Sequence, residues 1–236
     1  MGFFGDFMSI MKKRAVVLQS MTKEADDVYT FSFEKPADYS WRAGQYALFS
    51  ITHAKVKPGT KPFSLSSAPA ENAIRITTRI GATPSEFKQA LLSLKPGMTV
   101  RVSGAVGSFG LDKAEPALMI AGGIGITPFR AILKQMVAER IKATQPTQLL
   151  YLDSSEVYPF KEELETLAAQ ASVQLTTVES LDKLELERNA FVQQNKEKGR
   201  FLIAGPKPLV DSLASGLQQQ GVAKSRMKKD AFFGYL

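Results

Sequence analysis

The sequence has no cysteine and a single histidine, His53. Without cysteine these 236 residues hold no disulfide, no thiolate zinc site and no cysteine-bound iron–sulfur cluster. One histidine excludes a multi-histidine metal centre. It also leaves a Ser-His-Asp triad with one candidate base and no nucleophile elbow to serve. His53 falls between a strand-like segment and a Pro/Gly loop and reads as a surface loop residue. No hydrophobic run reaches the length of a membrane span. The apolar opening "MGFFGDFMSIM" lacks the basic start and the cleavage site of a signal peptide. The expectation is a cytoplasmic protein with no transmembrane segment. Residues 1–11 keep three options: packing on the surface, weak membrane contact, or contact with a partner.

What is present is ordinary globular material, 44% hydrophobic and 22% charged. The net charge is +7. It suits a solvated basic surface or an acidic protein partner. No nucleic-acid-binding motif accompanies it, so a nucleic-acid partner is not expected.

The chain changes rhythm part-way. Residues 13–112 carry short alternating or apolar segments, "RAVVLQS", "VYTFSFE", "QYALFSI", "PFSLSSA", "AIRITTRI" and "MTVRVSG". Turn signals such as Lys57-Pro58-Gly59 and Lys95-Pro96-Gly97 separate them. One helix interrupts, at 84–94. Six strands at this spacing predict a small antiparallel barrel. From about residue 116, strands at 117–121, 147–152, 173–178, 200–204 and 225–228 alternate with helices near 128–140, 159–170, 188–197 and 207–220. That alternation predicts a parallel sheet covered by helices on both faces. The fold class is therefore a β-barrel plus an α/β domain, with domains at 12–112 and 113–236.

The apolar run Ala117-Leu118-Met119-Ile120 passes directly into "AGGIGITPF", and Phe129, Ile132, Leu133, Met136 and Val137 then share one helical face. Gly122, Gly123 and Gly125 sit where strand becomes helix and keep side chains out of a ligand's way. Thr127 is placed to cap the helix and Pro128 to fill its first position. Such a helix start suits a phosphate. The alternative is a tight turn without a ligand. The barrel helix begins in the same manner: Gly81 precedes Thr83-Pro84, and Ser85 adds a hydroxyl. Thr83 with Glu86 also reads as a plain capping box. Nearby, "KPFSLSSAP" offers a cation, an aromatic ring and several hydroxyls on one extended segment, or else a half-buried strand with Phe63 in the core.

Six short motifs in one order carry a resemblance over nearly the whole chain from about residue 12. They are Ala43-Gly44-Gln45, Lys61-Pro62-Phe63-Ser64, "GAVGSF", "AGGIGITPF", Ala204-Gly205-Pro206 and the closing Asp230-Ala231-Phe232-Phe233-Gly234-Tyr235. The chain resembles the ferredoxin–NADP reductase-like flavin oxidoreductases. The resemblance implies an N-terminal six-stranded flavin-binding barrel and a C-terminal NAD(P)-binding domain. The implied reaction is hydride transfer from NADH or NADPH to bound FAD, with FMN the less expected flavin. Lys61 stands where the family has arginine and would meet the flavin phosphates beside Pro62. Phe63 would pack on the isoalloxazine ring and Ser64 would bond near N5. Gly81, Thr83 and Ser85 would face the flavin pyrophosphate. Gly122, Gly123, Gly125, Thr127 and Pro128 would cradle the nicotinamide dinucleotide, with Gly205 and Pro206 beside it. Phe232 and Tyr235 would cover the other flavin face, or form an aromatic strand docked in the core. Ala204 replaces the family's cysteine.

After the second α/β strand, Asp153 and Ser154 meet the adenosine ribose in this scheme, or Asp153 turns its own loop. A carboxylate there favours NADH, whereas the serines suit a 2′-phosphate. A guanidinium for that phosphate would have to come from Arg188 or Arg200. Electrons would pass to a separate acceptor: a ferredoxin, a flavodoxin or an oxygenase component, with an acidic electron carrier expected from the charge. The alternative is a regulatory or electron-relay subunit of the same fold that turns over weakly alone.

Overall fold

The computed structural model describes residues 9–111 and 114–232. They fall into two compact units that meet in sequence between Ser108 and Phe109.

In the first unit the strands are β1 Arg14–Ala25, β2 Val28–Glu34, β3 Tyr46–Ser50, β4 Thr60–Ser64, β5 Ala73–Arg79 and β6 Thr99–Val102. They form one sheet in the order β4-β3-β6-β1-β2-β5, antiparallel at every pairing. The sheet closes on itself just past β4. Leu65 bridges Ile76, and the Ser66 N–H donates to the Arg75 carbonyl at 2.9 Å. Alternate residues point inward, as the two-residue period of a strand requires. Val16 and Leu18, Phe31 and Phe33, Ile74 and Ile76, and Val100 and Val102 thereby share one apolar core. Helix α1, Glu86–Leu92, adds Phe87 and Leu91 to it, spaced to lie on one helical face.

The second unit is a five-stranded parallel sheet. Its strands are β7 Ala117–Gly122, β8 Thr147–Leu152, β9 Gln174–Val178, β10 Arg200–Pro206 and β11 Met227–Phe232, in the order β11-β10-β7-β8-β9. Helices α2 Ile126–Ala138, α3 Lys161–Ala171, α4 Leu181–Asn195 and α5 Lys207–Gln219 connect them. β7 is buried along its whole length, as expected for a central strand covered on both faces. From β7 the chain runs outward through β8 to β9, then returns to the other side of β7 with β10. The strand order thus reverses between β7 and β10, where open α/β sheets leave a crevice at the strands' C-terminal ends.

Two expected elements move. Helix α4 starts at Leu181 rather than 188, with the Ser180 hydroxyl accepting from the Lys183 N–H. The last strand lies at Met227–Phe232 rather than 225–228, because residues 224–226 form a short 3₁₀ turn. No helix among the described residues is long and apolar enough to cross a membrane.

Candidate functional site

The glycine turn lies at the C-terminal end of β7, on one side of the strand reversal. Gly123 has φ +52, a left-handed conformation that favours glycine. Gly125 needs no unusual backbone, with φ −59. Its demand is spatial: an added Cβ would strike the carbonyl of Ala204 and lie 2.7 Å from the Gly205 nitrogen. Gly205, at φ +153, sits over the Gly122 backbone, and a Cβ there would be 3.1 Å from the Gly122 oxygen. The β7 and β10 turns are thus locked together through backbone at Gly125 and Gly205, while Leu209 of α5 packs on Gly122.

Helix α2 begins two residues earlier than expected. Residues 123–125 form a 3₁₀ turn, Gly125 is the cap, and Ile126 is the first helical residue. Thr127 does not cap; it is buried, and its hydroxyl donates to the Ile124 carbonyl at 3.2 Å. Pro128 is the third helical residue rather than the first, still within the first turn where a missing N–H costs nothing.

Asp153 follows β8 and is only 5% exposed. Its Oδ1 accepts from the Ser155 N–H at 3.0 Å and the Ser155 hydroxyl at 2.6 Å, turning its own loop. Its Oδ2 faces the glycine turn, 3.9 Å from where a Gly123 Cβ would stand. Asp153 therefore turns the loop and also presents a carboxylate beside the turn. Ser154 is exposed. Neither candidate arginine is placed to meet a phosphate there. Arg188 is buried on α4 against Gly216 and Asn189. Arg200 opens β10 at the opposite end of the strand and pairs with Glu115.

Behind the turn, Arg130 of α2 is 5% exposed and forms a two-point pair with Glu163 of α3, at 2.7 and 2.8 Å. Lys134 joins at 2.7 Å. Burial alone would raise the Glu163 carboxyl; Lys134 and Arg130 outweigh it and hold the carboxyl below its usual range. Phe232 lies at the end of β11, paired with Pro206 and half-buried. Tyr235 falls outside the described residues.

In the barrel, Lys61, Pro62, Phe63 and Ser64 lie on β4. Phe63 is 8% exposed and turned into the core, edge-on to Phe49 at 5.9 Å and stacked on Phe87 at 5.8 Å. The ring thus takes the packing role that the sequence left as its alternative, with two aromatic neighbours in the core. The Lys61 ammonium lies 5.9 Å above the Phe87 ring centre. Ser64 is buried and opposite Tyr46. Ser85, not Thr83, caps α1, accepting from the Lys88 N–H. Glu86 does not reach back to close a capping box; its carboxylate accepts from the Lys57 N–H at 2.8 Å. Gly81 and Thr83 are exposed in the loop before α1. Gln45 fixes the Ala43-Gly44-Gln45 turn, accepting from the Arg42 N–H and donating to the Gly107 carbonyl. His53 is not a free surface residue: its Nε2 lies 3.1 Å from the Ala90 carbonyl and 3.0 Å from the Ser93 hydroxyl.

Sequence reasoning missed Lys88. It is half-buried on α1, and its ammonium is pulled down to about 8, by burial first and by Lys61 second, with Asp27 opposing. An exposed-looking lysine in a helix carries no sequence signal of that kind.

Comparison with known proteins places these features. Residues 119–215 match the family described as the oxidoreductase NAD-binding domain. A solved ferredoxin NADP+ reductase from Neisseria gonorrhoeae, with bound FAD and NADP, superposes with a TM-score of 0.78 at 19% identity, over 94% of this chain and 99% of that one. The chain has the ferredoxin–NADP reductase-like fold. Among curated proteins it is similar to a flavohemoprotein from Rhodopirellula baltica, 25% identical over 94% of this chain and 60% of that protein. It is also similar to the NADH oxidoreductase HCR of Escherichia coli, 28% identical over 90% of this chain and 66% of that protein. The chain thus spans about 60% of the length of the first of these relatives. The residues present suit a flavin by charge, since Lys61 offers a half-exposed cation on β4, and less by stacking, since Phe63 packs on Phe49 and Phe87 in the core.

Proposed function

We propose that the chain is an NAD(P)H-dependent flavoprotein reductase that passes electrons to a separate acceptor. The observation that carries this reading is the pair of interlocked turns at the strand reversal. Gly125 and Gly205 pack against the opposite turn, and Gly123, with only the Asp153 carboxylate near its Cβ position, stands at the helix start where such sheets hold a dinucleotide. A bound flavin supplies the redox chemistry, accepting a hydride from the nicotinamide. The chain's own residues bind and orient. The glycine turn admits the pyrophosphate close to backbone, Asp153 offers its carboxylate to ribose hydroxyls, and Lys61 offers charge to flavin phosphates.

The position of Asp153 supports NADH over NADPH. A buried carboxylate beside the turn repels a 2′-phosphate, and both candidate arginines are engaged elsewhere. The acceptor reading gains from the charge distribution. Residues 1–108 hold 14 Lys and Arg against 8 Asp and Glu, while residues 109–236 hold 16 against 15. Nearly all the surplus therefore belongs to the barrel unit, which suits docking of an acidic carrier such as a ferredoxin or flavodoxin there. Phe63 in the core and Ala204 in place of cysteine favour the second reading, an electron-relay subunit with slow turnover.

The test is anaerobic mixing of the flavin-loaded chain with NADH and, separately, NADPH, following the flavin absorbance. Bleaching within seconds supports the reductase. Bleaching over many minutes supports the relay subunit. A loaded chain that neither nucleotide bleaches refutes both.

A further inference from the structure

The five-stranded sheet ends on two edge strands, and only one of them is defended. β11 carries Lys228 and Lys229, and lysine on an edge discourages another strand from pairing there. β9 is the other edge. It pairs with β8 in unbroken register from Gln148–Gln174 to Leu152–Val178 and has no second neighbouring strand among the described residues. Its sequence "QLTTV" contains no lysine, no proline and no bulge, and Leu175, Thr176 and Thr177 are half-buried rather than covered. A strand paired on one side leaves the N–H and C=O groups of its other side free to template a further strand. Two apolar side chains stand open at the C-terminal end of this edge. Val157 is 37% exposed and adjoins Tyr158, whose hydroxyl donates to the Val178 carbonyl at 3.1 Å. Leu181 is 55% exposed and opens α4 just beyond the strand.

The charge around β9 is of one sign. Residues 156–195, which hold α3, β9 and α4, carry 8 Asp and Glu against 3 Lys and Arg, and one of those three is the buried Arg188. The rest of the second unit carries 7 against 13. Glu163, Glu179 and Glu185 have cationic partners. Glu162, Glu165 and Asp182 are exposed and have none among the described residues. The charge selects the occupant of the edge. A second copy offering its own β9 would set two acidic flanks against each other. A second copy offering β11 would make a heterologous contact that leaves one β9 unfilled in every pair.

We propose that β9 is a docking edge for an extended segment of a partner protein rich in lysine or arginine, which joins the sheet as a sixth strand. Backbone bonds along β9 supply the affinity, and the carboxylates of α3 and α4 select a basic strand. β8 separates β9 from β7, so a segment paired there leaves the glycine turn uncovered. The segment is opposite in charge to the acidic carrier suited to the barrel unit, and the two partners do not compete for one surface. The proposal goes beyond the reductase reading and does not depend on it.

The test adds fluorescent peptides to the full chain and reads anisotropy. The probe alternates lysine and valine over about eight residues, enough to span β9 and its ends. One control replaces lysine with glutamate. A second keeps the lysines and N-methylates every peptide bond, which removes the backbone donors and keeps the charge. The lysine peptide is expected to bind, to weaken with added salt, and to bind at least about tenfold better than the N-methylated form. The glutamate peptide is expected not to bind. The double variant Glu165→Gln, Asp182→Asn is expected to hold the lysine peptide about fivefold more weakly. Hydrogen exchange of residues 174–178 is expected to slow when the peptide is bound. The inference is overturned if the lysine peptide does not bind, if its N-methylated form binds equally well, or if the slowed amides lie outside β9. A chain that light scattering shows to be a dimer, and whose dimer excludes the peptide, also overturns it and assigns the edge to a second copy.

Discussion

Replacing Gly125 with alanine isolates the close approach of the two turns. At φ −59 the backbone of residue 125 accepts any side chain, so the whole penalty is steric. The new methyl would stand 2.7 Å from the Gly205 nitrogen and against the Ala204 carbonyl. Both are backbone, and β10 is held to β7 by the ladder that pairs Ala204 with Ala121. Relief needs a shift of roughly 1 Å, since carbon contacts are comfortable near 3.5–4.0 Å. Overpacking of this kind costs about 1–3 kcal/mol. Weakening a ladder bond adds about 1 kcal/mol. The sum, about 3 kcal/mol, lowers the unfolding midpoint by roughly 6–12 °C. Gly123→Ala provides the control. There the methyl meets only the Asp153 carboxylate at 3.9 Å, and the cost is the left-handed backbone, about 1 kcal/mol. Calorimetric or circular-dichroism melts of both variants decide the matter. If Gly125→Ala melts no lower than Gly123→Ala, the two turns are not locked as described.

Asp153→Ser is expected to narrow the preference for NADH, read as the ratio of kcat/KM for the two nucleotides; a ratio that stays fixed removes Asp153 from the site. Glu163→Ala strips the two-point partner from buried Arg130 and should cost about 2–3 kcal/mol at neutral pH, below the usual toll for a broken buried pair because Glu163 is partly exposed. Its folded carboxyl titrates below the unfolded one, so that stabilisation is present above about pH 4.3 and is lost as the pH falls further; denaturant melts of the two chains should converge in acid. Lys88 runs the other way. Its ammonium is held at about 8 in the folded chain, so the penalty is full below that pH and fades as the pH rises toward the unfolded value. Relative to Lys88→Met, the flavin-free wild type should gain about 1 kcal/mol between pH 8 and 10 after discounting for solvent screening; a flat difference refutes the shared burial of the two lysines.

The strands were legible wherever one face is buried and a turn signal follows. β2 matches the expected segment "VYTFSFE" residue for residue. β1 runs on to Ala25 past its expected end because its second half is largely exposed and crosses two irregularities in its pairing with β2. The start of α4 was hidden for a similar reason. Leu181 and Leu186 are exposed, so its early turns carry no apolar stripe. At the site, glycine positions were readable but their reasons were not. Gly125 is required by Ala204, and no local pattern reports a contact so distant in sequence. Phe63 shows the limit of a two-residue period, which separates the faces of a strand without saying which ring of a shared face is covered. Ser85 took the cap from Thr83 because α1 starts at Glu86, and helix ends are weakly encoded.

The closing seam of the barrel has a consequence for how the chain folds. β4 and β5 are the outermost strands of the sheet yet neighbours in sequence, so the Leu65–Ile76 bridge closes a short loop at little entropic cost. β6 is the reverse case: it is the last strand made and it inserts between β3 and β1, pairing Arg14 with Val102. Until residue 102 has left the ribosome, the sheet exists as two separate pieces, β4-β3 and β1-β2-β5, joined only at the seam. Completion of the barrel therefore waits on the longest-range pairing in the unit, and a nascent chain halted before Thr99 should remain sensitive to protease across β1 and β3.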